Sequence, residues 1–145
     1  ALACDFRIAA ENTLLGLTET SLAIIPAAGG TQRLPRLIGE SKAMELILTA
    51  RRLKPAEALD YGLVTRVAPL EELAKVTGEF ADSMLANGPI ALQQAKFAIK
   101  NGMNADVLSG LHIDRIAFEW TVPTVDRVEA LLAFGEKRKP VFKGK

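Results

Sequence analysis

The chain has 145 residues, 49% hydrophobic and 24% charged, the mixture of an ordinary globular domain and not of a disordered chain. A net charge of +1 gives no support to a nucleic-acid or membrane surface. A single cysteine, Cys4, and a single histidine, His112, exclude an internal disulfide framework, a multi-cysteine metal site and a His-rich metal cluster.

Ala1-Leu2-Ala3-Cys4-Asp5 is small and apolar, has no start signal before it, and reads as the end of a helix. The chain is therefore expected to be part of a longer domain. Phe6-Arg7-Ile8-Ala9 alternates apolar and polar residues as a half-buried strand does, and residues 14–17 read as a second short strand after a turn at 11–13. Residues 18–28 show no clean period and are expected to form a buried irregular segment with one helical turn. Gly29-Gly30-Thr31 opens a short helix ending near Arg36, and Gly39 closes the connection. The next helix is expected to be capped by Ser41, with Ala43, Met44, Ile47 and Leu48 on one face.

Pro55 suits a first helical position and Gly62 a helix end, followed by a β-branched strand at 63–67. Pro69 begins a longer helix with the face Leu73, Val76, Phe80 and Met84. Gly88-Pro89 breaks it and starts another that runs to Gly102. Asp106 caps a helix carrying Leu108, Leu111, Ile116 and Trp120, which stops at Pro123. Thr124 caps the last helix, with Val128, Leu131, Leu132 and Phe134 expected to face inward. Strands are few and early, helices many and late.

Glu19 is the carboxylate that draws suspicion, since it lies between Leu17 and Leu22 in a stretch that reads as buried. Apolar surroundings raise a carboxyl pKa toward the range a general acid or base needs. Position alone fits an exposed turn glutamate as well. Ala27-Ala28-Gly29-Gly30-Thr31 lacks the Lys-Ser/Thr of a phosphate loop and the spacing of a dinucleotide fingerprint. What it offers is backbone N–H groups at a helix start, free to face a carbonyl, a water or an anion. His112 sits mid-helix without a partner at a motif spacing and reads as a surface or packing residue. Cys4 reads as a small buried hydrophobe. The basic tail of Lys137, Arg138, Lys139, Lys143 and Lys145 has only Phe134 and Phe142 nearby, a poor stacking platform for nucleic acid.

Several blocks resemble the enoyl-CoA hydratase/isomerase (crotonase) superfamily. Ala1 to Ala9 is similar to the end of its signature. Leu15-Gly16-Leu17-Thr18-Glu19 through Ile25-Pro26-Ala27-Ala28-Gly29-Gly30-Thr31-Gln32-Arg33-Leu34-Pro35-Arg36 resembles its most distinctive block. Ala56-Glu57-Ala58 with Tyr61-Gly62-Leu63-Val64, and Ala133-Phe134-Gly135-Glu136-Lys137-Arg138, complete the match in order along the chain. The methylglutaconyl-CoA hydratase-like branch is the most similar.

The resemblance implies an α/β chain with the C-terminal part of the crotonase fold, a ClpP-like β-β-α spiral. Residues 1–102 would belong to the core and residues 103–145 to a helical trimerisation region. It implies an enoyl-CoA hydratase that adds water across the 2,3 double bond of an acyl-CoA thioester. Glu19 would handle the proton at Cα, and the Ala27 N–H, at a position often glycine in relatives, would hold the catalytic water. Phe134 and Lys137 would contact coenzyme A bound in a neighbouring subunit of a homotrimer or of a hexamer built as a dimer of trimers. No metal and no cofactor is implied, coenzyme A being part of the substrate; neither nucleic acid nor membrane is an expected partner. The implied compartment is the mitochondrial matrix in a eukaryote and the cytoplasm in a bacterium. A first glutamate would fall two residues before Ala1, along with the oxyanion-hole donors, so these 145 residues alone are expected to be inactive. The alternatives are an enoyl-CoA isomerase that keeps only Glu19, a relative that binds AU-rich RNA, and a non-catalytic oligomerisation piece.

Overall fold

A computed structural model describes residues 1–145 and divides them into two compact units, 1–78 and 79–145. The helices on either side of residue 102 pack on each other within the second unit.

In the first unit, β1 (Ile8–Ala10) pairs in parallel with β4 (Arg66–Ala68), and β2 (Leu15–Gly16) pairs antiparallel with β3 (Arg52–Leu53). A parallel pair needs a long crossover, which here holds α1 (Gly30–Ile38), α2 (Glu40–Leu48) and α3 (Pro55–Asp60). Leu34, Ile38, Ala43, Leu46, Leu53, Ala58, Leu63 and Val64 form the core with Ala9. Arg7 ties the strand entrance down: its Nε donates to the Leu63 carbonyl at 2.6 Å, and its own carbonyl accepts from Thr65 N–H at 2.7 Å.

Several expectations are corrected here. Ala1–Asp5 forms a turn closed by Cys4 N–H on the Ala1 carbonyl, and Cys4 is exposed. Gly39, not Ser41, is the N-cap of α2: with φ at 88° it reverses the chain within one residue, so the helix starts at Glu40. The strand expected at 63–67 begins only at Arg66. After Gly62 turns left-handed (φ 73°), the Leu63 and Val64 N–H groups both donate to the Ala58 carbonyl and are lost to a sheet. The segment 18–28 is not buried: Leu22, Ile24 and Ile25 are exposed, and of this stretch only Pro26 is buried. A 3-10 turn, Glu19–Leu22, ends in left-handed Ala23 (φ 59°) and displays them outward.

α4 (Leu73–Leu85) follows a short 3-10 turn, Leu70–Glu72, and Leu73, Val76, Phe80 and Met84 are among its less exposed positions, as its period predicts. In the second unit, α5 (Pro89–Gly102) and α6 (Val107–Thr121) form a helical hairpin. Asp106 caps α6 by accepting from Ser109 N–H, and Thr124 caps α7 (Val125–Gly135) by accepting from Arg127 N–H, both as expected. The faces differ from expectation. On α6 the covered stripe is Gly110, Ile113, Ala117 and Thr121, while Leu108, Leu111, Ile116 and Trp120 are exposed. A β-carbon placed on Gly110 would lie 3.6 Å from the Gly102 carbonyl, so small residues let α5 and α6 approach closely.

On α7, Asp126 and Ala133 are buried, and Val128, Leu131, Leu132 and Phe134 face out. The chain after α7 folds back over the Asp126–Glu129–Ala133 stripe and takes the place an apolar face was expected to fill. Asp126 accepts from the N–H groups of Lys143 (2.6 Å) and Gly144 (2.8 Å), and Glu129 from Val141 N–H (2.9 Å).

Candidate active site

Glu19 opens its 3-10 turn directly after the segment that follows β2, so the short β2–β3 pair fixes where the turn begins. The turn is closed by Ser21 N–H on the Thr18 carbonyl and by Ile24 N–H on the Glu19 carbonyl. The Thr20 hydroxyl, 27 residues away in sequence, donates to the Ile47 carbonyl at 2.5 Å. Glu19 is half-buried, and its Oε2 is buried without a hydrogen-bond partner. Buried carboxylate oxygens are nearly always satisfied, so an orphan of this kind needs a reason.

The second element is the loop before α1. Ala28 (φ 52°) and Gly29 (φ 85°) are both left-handed, and for an alanine that conformation costs roughly 1–2 kcal/mol. Arg33 fastens the loop by donating to the Ala28 carbonyl at 2.7 Å. Its guanidinium also lies where a β-carbon on Gly29 would sit, 2.0 Å from Nη1, so a larger residue at position 29 would have to displace the Arg33 side chain and would be strained at φ 85°. Ala27 is not in the left-handed region, and an alanine stands there without strain. Its carbonyl accepts from Gly30 N–H at 3.0 Å, whereas its own N–H donates to no group of the chain and lies in an exposed loop.

Gly30 brings the two elements together. A β-carbon there would meet Pro26 at 2.9 Å and Leu17 at 3.1 Å, so the segment leading to Glu19 and the residue before Ala27 both press on the start of α1. A groove of about 510 Å³ runs along α1 and α2, lined by Thr31, Pro35, Arg36, Met44 and Leu48; Glu19 is not part of its lining.

Phe134 and Lys137 belong to the second unit, at the end of α7. Phe134 is 86% exposed. Lys137 has φ 56° in the place that glycine usually takes after a helix, with Arg138 N–H closing on the Ala133 carbonyl. Arg138 forks onto both oxygens of Glu129 and also pairs with Glu136. These bonds hold the Glu129 carboxyl down at about 2, the Arg138 hydrogen bond first and the Val141 N–H second. His112 is exposed on α6.

Two features had no signal in the sequence. One is the Thr20–Ile47 tether. The other is Arg51, whose guanidinium binds Glu57 (2.6 Å), Glu45 (3.0 Å) and the Tyr61 hydroxyl (3.2 Å), with Lys42 4.3 Å above the Tyr61 ring. The hydrogen bond with Glu57, above all, raises the Arg51 pKa.

A sequence model described as enoyl-CoA hydratase/isomerase matches residues 1–145. The chain belongs to the enoyl-CoA hydratase/isomerase family. YngF of Bacillus subtilis is 56% identical over 144 residues, covering 99% of this chain and 55% of that protein. Human mitochondrial methylglutaconyl-CoA hydratase is 48% identical over 148 residues, covering 99% of this chain and 44% of that protein. Among solved structures, the enoyl-CoA hydratase of Bacillus anthracis superposes with a TM-score of 0.97 at 56% identity, covering 99% of this chain and 56% of that one. This family member therefore has the crotonase fold and spans about half the length of the curated relatives it matches. None of its helices is long and apolar enough to cross a membrane.

Proposed function

We propose that the chain supplies one carboxylate and one backbone donor to the site of an enoyl-CoA hydratase. In that reaction the oxygen of water bonds to Cβ, a proton is delivered to Cα, and the 2,3 double bond becomes a single bond in a 3-hydroxyacyl-CoA. Glu19 is the group that exchanges the proton at Cα, and the Ala27 N–H donates to the attacking water. The observation that carries the reading is the buried, unpartnered Oε2 of Glu19, on a turn whose approach packs against the same glycine as the Ala27 loop. Thioester polarisation by backbone N–H groups, the usual stabiliser of a developing enolate, is assigned to no donor of this chain.

The substrate is an acyl-CoA thioester, and the reading calls for no cofactor beyond the coenzyme A it carries. Lys137 and Phe134 are the residues that would meet that coenzyme A in a neighbouring subunit. The assembly in this reading is a homotrimer or a dimer of trimers, and the exposed apolar residues of α6 and α7 support the presence of a subunit interface.

Crotonyl-CoA hydration by the full-length protein tests the reading. Glu19→Gln is expected to lower kcat by roughly 10²- to 10⁴-fold while leaving coenzyme A binding nearly intact. An unchanged kcat would return Glu19 to the role of a turn residue. Conversion of a 3-enoyl-CoA to the 2-enoyl isomer without hydration would favour the isomerase activity that the family name also includes.

A further inference from the structure

The turn that carries Glu19 has no apolar anchor within this chain. None of its four residues is buried, and Leu22, Ile24 and Ile25 point outward. The Ser21 hydroxyl reaches only the Thr18 carbonyl and closes the turn on itself at 2.7 Å. No hydrogen bond holds Oε2 of Glu19, so the position of that oxygen depends on the backbone beneath it.

One side-chain bond reaches from this turn to a distant element: Thr20 Oγ1 donates to the Ile47 carbonyl. That carbonyl lies in the last turn of α2, where it accepts from Ala50 N–H at 3.3 Å in place of a regular helix partner and has a second lone pair for a side chain. The acceptor is itself held still. Thr49 N–H closes α2 on the Glu45 carbonyl, Arg51 N–H donates to the Leu46 carbonyl, and the Arg51 side chain spans Glu45 on α2 and Glu57 on α3. Threonine is also stiff about χ1, so a fixed hydroxyl fixes its own backbone.

We propose that Thr20 is a positioning residue for Glu19. Its hydroxyl, tied to the end of α2, sets the angle at which the carboxylate is presented. The proposal rests on the reading of Glu19 as the group that exchanges a proton at Cα. A misplacement of about 1 Å at a reacting group costs up to about 100-fold in rate, and the loss falls on kcat when binding is untouched.

The test compares Thr20→Val, Thr20→Ser and Glu19→Gln in the full-length protein. Each is assayed for crotonyl-CoA hydration, butyryl-CoA affinity and melting temperature. Valine keeps the shape of threonine and removes the donor; serine keeps the donor. Thr20→Val is expected to lower kcat by about 10- to 100-fold with KM, butyryl-CoA Kd and Tm near wild type, and Thr20→Ser to recover most of it. The proposal is overturned if Thr20→Val turns over normally while Glu19→Gln is inactive. It is equally overturned if the loss follows a fall in Tm and serine does not restore it. A fully active Glu19→Gln removes the reading of Glu19 and this proposal with it, an outcome that the first two cannot be confused with.

Discussion

Each of the two compact units has its own kind of interior, and the difference lies in the large side chains. The first buries large aliphatics: Leu46 and Leu53 are essentially inaccessible, with Leu34, Ile38 and Leu63 around them. The second buries small residues and a carboxylate, Ala117, Ala133 and Asp126, and leaves Leu108, Leu111, Phe118, Trp120 and Leu131 exposed. In the first unit, stability comes from apolar area removed from water. In the second it comes from close helix approach and a tail strapped down by backbone N–H groups on two carboxylates. Both units leave apolar side chains exposed, Leu22, Ile25 and Leu48 in the first and Leu108, Trp120 and Phe134 in the second, but only the first also buries large aliphatics in a core.

The contrast should appear first in truncation. Leu53→Ala removes a side chain with no exposure and is expected to cost about 2–5 kcal/mol in urea unfolding. In the second unit, Leu131→Ser on the outer face of α7 should change monomer stability by no more than about 0.5 kcal/mol. Comparable losses at the two sites would erase the distinction. The next effect is the reverse one, overfilling. Ala117→Leu forces a larger side chain into the close α5–α6 contact and is expected to cost about 1–3 kcal/mol; an unaffected melting curve would mean the hairpin is loosely packed.

The smallest effect is a pH dependence confined to the second unit. Glu129 titrates near 2 in the folded chain against an ordinary value of 4.5, so the folded state binds its proton more weakly than the unfolded state. Its contribution to stability is complete above about pH 4.5 and disappears as the pH falls from there through about 2. Acid titration of wild type and Glu129→Gln, followed by helical circular dichroism, should show that slope in the first and a shallower one in the second. Parallel curves would mean the Arg138 clasp contributes nothing.

Legibility followed the range of the forces involved. Pro55, Pro89, Asp106 and Thr124 act on their own helix ends, and α3, α5, α6 and α7 start where those residues indicate. β3 has two residues, too few for any period, and β4 slipped to Arg66 because the Gly62 turn consumed the preceding N–H groups. The covered faces of α6 and α7 differ from the expected apolar ones for two reasons: close approach to α5 selects small residues such as Gly110 and Ala117 on α6, and on α7 the returning tail covers carboxylates that accept from its N–H groups. Glu19 and Ala27 stood out through family resemblance. What tethers the turn, the Thr20–Ile47 bond, joins positions 27 residues apart, and the packing of Leu17 and Pro26 on Gly30 depends on side-chain contact; neither leaves a local pattern.

The pairing of Ile8 with Arg66 has a kinetic meaning. These strands can meet only after the intervening chain has shortened into α1, α2 and α3, and contacts between distant residues form late because loop closure precedes their reward. The α5–α6 hairpin closes over a few residues and should be protected early. In pulsed hydrogen exchange during refolding, the α5 and α6 amides would then gain protection ahead of those of β1 and β4.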